Sequence, residues 1–314
     1  TRGVAVPSVQ QLGDLYLIDT EHVGRLKTVG VFLLPAADGR FALIETGSAV
    51  SLPILEAGIQ QAGFAPEALA AILVTHIHLD HAGAAGVLAR RYGAEVYVHQ
   101  VGAPHLADPS RLIASAERIY GPDMARLWGE VVAVPETQLR ALAGGERLRI
   151  LGHELRVLYT PGHASHHVCF LFEGALFTGD AAAIKLPGSP VIRPATPPPE
   201  VDLERWEASL DALLAVAPER LLLTHFGAVS EPQEHLLAVK ERNRLWAEAI
   251  LAGLQAGEDD AALIRRITAL GEAELRAAGA PPELIALHSE TSSYPMTVVG
   301  LKRYWLKHHP ERLS

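Results

Sequence analysis

The chain has 314 residues, 49% of them hydrophobic and 20% charged, a globular balance that excludes a mainly disordered polymer. Its length suits one large α/β domain, or such a domain with a helical appendage. A net charge of −9 argues against a nucleic-acid partner, and no apolar run approaches the ~20 residues needed to span a bilayer.

Between Thr1 and Gln10 no basic start leads into an apolar core, and a single cysteine, Cys169, allows no internal disulfide. Both features predict a cytoplasmic protein, with Cys169 a small buried hydrophobe in the run HVCFLF. Tyr16 to Ile18 and Val29 to Leu34 read as strands, and Ala37-Asp38-Gly39 as the hairpin turn into Phe41 to Ile44. Ser51 to Gln61 carries an apolar stripe at Leu52, Leu55 and Ile59 and stops at Gly63, which predicts a helix. Ala71 to Val74 is a short strand running into Thr75-His76, followed by a helix from Ala84 to Tyr92 and a strand at Val96 to Val98.

Gly102 to Pro135 departs from this rhythm and reads as a helical insertion that carries Tyr120 and Trp128. Strands return at Arg147 to Leu151, Leu155 to Tyr159, Val168 to Phe172 and Ala175 to Phe177. Six prolines between Pro187 and Pro199 predict an ordered, irregular loop. A helix from Leu203 to Val216 leads to a strand at Leu221 to Leu223, and everything beyond Glu231 is helical in pattern. Two β-rich halves with helices after their strands predict a four-layer α/β/β/α sandwich over residues 1–230, with a helical extension over 231–314.

The sharpest local signal is Thr75-His76-Ile77-His78-Leu79-Asp80-His81. It follows a strand and precedes a helix, where α/β folds place their sites. In an extended stretch His76 and His78 point the same way and can share an ion, while Asp80 and His81 face a second position. His163, Asp180 and His225 each end a later apolar run, so they gather along the same sheet edge. His167, four residues after His163, is expected to support a ligand; His166, His99 and His153 are expected in surface or turn positions.

This ordered set resembles the metallo-β-lactamase superfamily over most of residues 12 to 230. The resemblance implies that one metal takes His76, His78 and His163, the other takes Asp80, His81 and His225, and Asp180 bridges them. Glu45-Thr46-Gly47 stands where the superfamily has an early Asp-x-Gly, a turn behind the ligands. The seven-residue set is similar to that of glyoxalase II, the lactonases and the RNase Z group. True β-lactamases differ at the bridging position, flavodiiron proteins carry Glu where His78 stands, and the β-CASP nucleases add a domain absent here. Lactonases place a Tyr three residues after the bridging Asp; here that residue is Ala183.

The resemblance implies a hydrolase with two divalent ions, zinc first and iron or manganese as alternatives, acting through a bridging hydroxide. Asp80 is the expected proton carrier to the leaving group. The substrate is expected to be a small ester, thioester or lactone. A mononuclear iron enzyme similar to the persulfide dioxygenases and an RNase Z-like phosphodiesterase stay open as alternatives. Lys185 and Arg193 are read as groups that would bind an anionic substrate, and Tyr120, Trp128, Tyr294 and Tyr304 as cleft walls. The oligomeric state is left open, a homodimer included.

Overall fold

The computed structural model describes residues 7–313. One sheet contains β1 (Val9–Leu12), β2 (Leu15–Asp19), β3 (Gly30–Pro35), β4 (Phe41–Ile44), β5 (Leu69–Leu73), β6 (Glu95–His99) and β7 (Leu139–Leu142), side by side in sequence order. Its first four strands pair antiparallel and the remainder parallel. The second sheet contains β8 (Arg147–Ile150), β9 (His153–Tyr159), β10 (Val168–Phe172), β11 (Ala175–Phe177), β12 (Arg220–Leu223) and β13 (Gly227–Val229). Only its β11–β12 pair is parallel.

Residue alternation decides how the sheets stack. Along β3, Phe32 and Leu34 enter the core between the sheets, whereas Val31 and Leu33 face the helices outside. Along β10, Phe170 and Phe172 point inward and Cys169 outward. Strands buried on both faces need apolar residues at every position, which is why these read as continuous runs. Phe32 and Phe177 meet edge to face across the interface at 5.2 Å, each fully buried ring stabilising the fold by roughly 1.5–3 kcal/mol.

Outside the first sheet lie α1 (Leu52–Gln61), α2 (Leu79–Ala82) and α3 (Ala85–Tyr92), with Leu55, Ile59 and Leu88 in its outer core. The insertion forms α4 (Ala103–Ala107), α5 (Ser110–Tyr120) and α6 (Met124–Trp128). Outside the second sheet lies α7 (Leu203–Val216), whose Asp202 cap accepts from Arg205 N–H. The C-terminal helices are α8 (Pro232–Gln255), α9 (Asp260–Ala277), α10 (Pro282–Thr291) and α11 (Tyr294–His308). The early residues of α8, Leu236 and Val239, share a core with Trp206 and Leu221; the later ones, Trp246 and Ile250, pack with α9 and α11. The four-layer αββα sandwich and its helical C-terminal region are therefore as anticipated. Among the described residues, no helix is long and apolar enough to cross a membrane.

Candidate metal centre

All seven residues singled out from the sequence converge beyond the strand ends. His76 and His78 follow β5, Asp80 and His81 lie on α2, and His163, Asp180 and His225 follow β9, β11 and β12. Among the described residues, three sets lie close enough to hold a metal ion: His76, His78 and His163; His76, His81 and Asp180; and Asp80, His81 and His225. His76 Nε2 and His163 Nε2 lie 2.9 and 3.0 Å from His78 Nδ1. Those spacings approach the ~3.3 Å edge of a tetrahedron built on metal–nitrogen bonds of about 2.0–2.1 Å.

The glycines beside two ligands are sterically required. Gly162 has φ 142°, and a Cβ there would fall 2.3 Å from the Trp206 backbone. Gly179 has φ 47°, and its Cβ would meet Thr75 Oγ1 at 2.3 Å. Each allows the chain to turn tightly just before His163 or Asp180.

The outer ring nitrogens are held from behind. His163 Nδ1 donates to Ala195 O at 2.8 Å, and His225 Nδ1 to Thr28 O at 2.6 Å. His81 Nδ1 lies 3.1 Å from Glu45 Oε1, and His76 Nδ1 lies 3.0 Å from Thr75 Oγ1. An N–H committed outward leaves the lone pair of the other nitrogen aimed at the cluster centre, the arrangement a metal requires. Glu45, buried in a left-handed turn at φ 69°, also accepts from Thr75 N–H and Oγ1. His167 accepts from Asp180 N–H at 3.2 Å and donates to Thr160 Oγ1 at 2.8 Å.

Asp180 stands between the halves of the cluster. Its Oδ1 lies 3.2 Å from both His81 Nε2 and His225 Nε2, and its Oδ2 lies 3.4 Å from His163 Nε2. Oδ1 is buried and, among the described residues, makes no well-aligned hydrogen bond. A buried carboxylate oxygen left this way is costly unless a cation takes its lone pair. That orphaned oxygen and the converging imidazoles fit divalent metal.

Electrostatics divide the cluster. Burial pushes His78 down to about 3 and His76 and His163 down as well, which keeps these rings neutral. Burial also opposes charge on His225, but Asp180 and Asp80 outweigh it and push the ring up to about 10. His81 is raised well above the usual histidine range, Asp180, Asp80 and Glu45 overcoming its burial. Despite their own burial, Asp80 and Asp180 are held below the usual carboxylate range, first by His81 and then by His225.

A cavity of about 640 Å³ opens over His78, Asp80, Asp180 and His225. Tyr120 and Trp128 of the insertion line it, as do Pro295 and Met296 at the start of α11. Tyr120 Oη approaches Met296 Sδ at 3.8 Å and joins the two walls. Several expectations need correction. Arg193 does not reach this cavity; it is buried against the Tyr294 ring at 3.9 Å and donates to His288 O. Lys185 lines a separate surface cavity with Lys27 and Gln10. Tyr294 is held under Arg193 and Tyr304 bonds Glu204, so neither forms the cleft wall. His166, expected in a surface or turn position, does lie in a turn, but one that is buried and lines the cavity. His99 and His153 stay away from the cluster but lie in strands β6 and β9, not in surface turns, His99 buried and stacked on Tyr159 and His153 edge to face with Phe172. His22 was not anticipated: it lines the cavity and stacks on Trp128 at 5.1 Å, and no spacing signal in Glu21-His22-Val23 marks it.

The metallo-beta-lactamase superfamily model matches residues 29–225, more than half of the chain. A metallo-beta-lactamase fold-containing protein of Sulfurisphaera tokodaii is 31% identical over 193 residues, 60% of this chain and 72% of that protein. A hydroxyacylglutathione hydrolase of Xanthomonas axonopodis pv. citri is 33% identical over 150 residues, 48% of this chain. That alignment spans only 45% of the hydrolase's own length. A solved metallo-beta-lactamase family protein of Thermus thermophilus shares the fold at TM-score 0.66 and 23% identity, over 96% of this chain and 92% of that one. With the matched segment carrying all seven clustered residues, the chain belongs to the metallo-beta-lactamase superfamily and is an enzyme of that superfamily.

Proposed function

We propose that the enzyme binds two divalent metal ions, zinc in the first instance, and hydrolyses a small ester, thioester or lactone with an apolar acyl part. His76, His78 and His163 hold one ion, Asp80, His81 and His225 the other, and Asp180 spans them. The observation that carries this reading is Asp180, whose two oxygens face the two histidine sets at 3.2–3.4 Å. Bound ions would supply an activated water and an electrophile for the scissile carbonyl. The chain itself orients and desolvates the substrate and moves protons. Asp80 lines the cavity and lies 3.5 Å from His225, placed to take the proton of the attacking water and pass it to the leaving atom.

The cavity wall supports the acyl assignment. Leu79, Ile119, Leu127, Trp128 and Met296 present carbon to any group bound over the ligands. A mostly apolar pocket of this size suits a small molecule. A glutathione thioester, suggested by the name of the Xanthomonas relative, would set its charged tripeptide among Arg111 and Arg126, which line the same cavity beside that wall. The phosphodiesterase alternative lacks support from the −9 net charge. An intact second set, Asp80, His81 and His225, favours two ions over a mononuclear iron site.

The test is elemental analysis combined with kinetics on matched esters, thioesters, lactones and a phosphodiester of increasing acyl length. Two metals per chain, with kcat/KM rising with acyl length, is the expected result. One iron with oxygen uptake, or turnover confined to the phosphodiester, would sink the proposal. Within it, Tyr120→Ala and Trp128→Ala are expected to raise KM about 5–30-fold, the equivalent of about 1–2 kcal/mol of uniform binding, with kcat changed less. A lower melting temperature with unaltered KM would reduce both residues to packing, a role their contacts with Leu79 and Ala116 also serve.

A further inference from the structure

We infer that the C-terminal helices position the metal ligand His163, acting through the Pro-rich loop between β11 and α7 at two contacts, Gly300 and Arg193. The inference rests on the metal assignment above and concerns a part of the chain beyond the segment matched by the family model.

The chain of contacts begins at His163. Its Nδ1 is held by the carbonyl of Ala195, which belongs to the Pro-rich loop. Two residues earlier, Arg193 pairs with Ile184 through both backbone hydrogen bonds, at 3.0 and 2.9 Å. The adjoining Lys185 N–H donates to the His225 backbone carbonyl at 2.6 Å, whereas the His225 ring is held by Thr28 O, outside this loop. This loop has no regular sheet or helix to hold it, and its position is set by what packs on it.

What packs on it is the helical region. α11 approaches so closely at Gly300 that a Cβ there would lie 2.0 Å from Thr196 O, the carbonyl after Ala195. Only glycine allows that approach. Arg303, one turn on, donates to Pro199 O at 3.0 Å. From the loop side, Arg193 inserts into the helices: it is 2% exposed, its guanidinium carbon lies over the Tyr294 ring at 3.9 Å and within 5.4 Å of the Trp246 ring, and it donates to His288 O at 2.8 Å. Among the described residues no carboxylate is seen paired with this guanidinium, and its Nε and Nη2 make no well-aligned hydrogen bond. An arginine buried at such cost, with most of its contacts across the loop–helix boundary, fixes the register of the two parts. The loop's Ala195 carbonyl then sets the ring orientation of His163. Arg193 and Gly300 touch neither the seven clustered residues nor the cavity, so both are positioning residues.

The experiment uses the full chain, stripped of metal and titrated with Zn2+ alone against a chromophoric chelator. Gly300→Ala and Arg193→Met are compared with the parent and with Leu263→Ala, which removes packing between α8 and α9. Loss of an outer partner of a ligating histidine typically costs 10–100-fold in metal affinity, so one of the two ions is expected to weaken by about that factor in both loop variants. The other ion should stay within about twofold, because its ligands keep their own partners Thr28 and Glu45. Leu263→Ala should lower the melting temperature and leave both affinities at the parent's values. If Gly300→Ala does not fold, Arg193→Met decides alone. Parent-like binding of both ions in the loop variants, equal weakening of both ions, or the same weakening in Leu263→Ala would overturn the inference. A parent chain that binds no zinc removes the metal assignment itself and this inference with it.

Discussion

Asp180→Ala is expected to lower kcat/KM by more than about a hundredfold while the sheets remain folded. The size follows from its place: one carboxylate reaches both histidine sets, with Oδ1 3.2 Å from His81 and His225 and Oδ2 3.4 Å from His163. Removing an outer partner of a ligand costs roughly 10–100-fold, and a group lying between both sets should exceed that range. The fold should tolerate the change, because Asp180 lies past the end of β11 and contributes no apolar surface to either core. Steady-state kinetics with far-ultraviolet circular dichroism on the same sample check both halves. Turnover within about tenfold of the parent would exclude Asp180 as the group joining two ions.

His76→Ala is expected to reduce the metal content from two ions per chain to one or none, as read by elemental analysis. His76 belongs to two of the three candidate sets, and its ring lies 4.0 Å from that of His81 and 4.5 Å from that of His78. Its loss removes a neutral nitrogen from one set and opens a cavity in a completely buried part of the cluster. His99→Ala, whose ring stacks on Tyr159 away from the cluster, should keep the full complement. Full metal retention in His76→Ala would sink the assignment.

Much of this molecule is legible without coordinates, for definable reasons. Central strands such as Val29 to Leu34 and Val168 to Phe172 are apolar at every position because both faces are buried, so composition alone marks them. The strands not anticipated, β1, β7 and β13, are all sheet edges. Val9–Leu12 carries two glutamines and Gly227–Val229 is three residues long, so their strand character comes from the neighbour they pair with. The ligand cluster is legible because five of its seven residues are histidines shortly after strands, and four of the seven fall within six positions.

The cleft was only half legible. Tyr120 and Trp128 line it, but the fates of Arg193, Lys185, Tyr294 and Tyr304 depend on which side of a loop or helix each residue leaves. In an irregular Pro-rich segment no periodicity carries that information. Arg193, charged and near Asp180 in sequence, turns instead into an aromatic seat made by α8 and α11, more than fifty residues away. His22 and His166 reach the cavity through packing, on Trp128 and beside His78. Local sequence thus determined the strands, the turns and the ligand chemistry, because each depends on neighbours along the chain. Tertiary packing decided the walls of the site, because those side chains are oriented by partners that only the folded chain brings together.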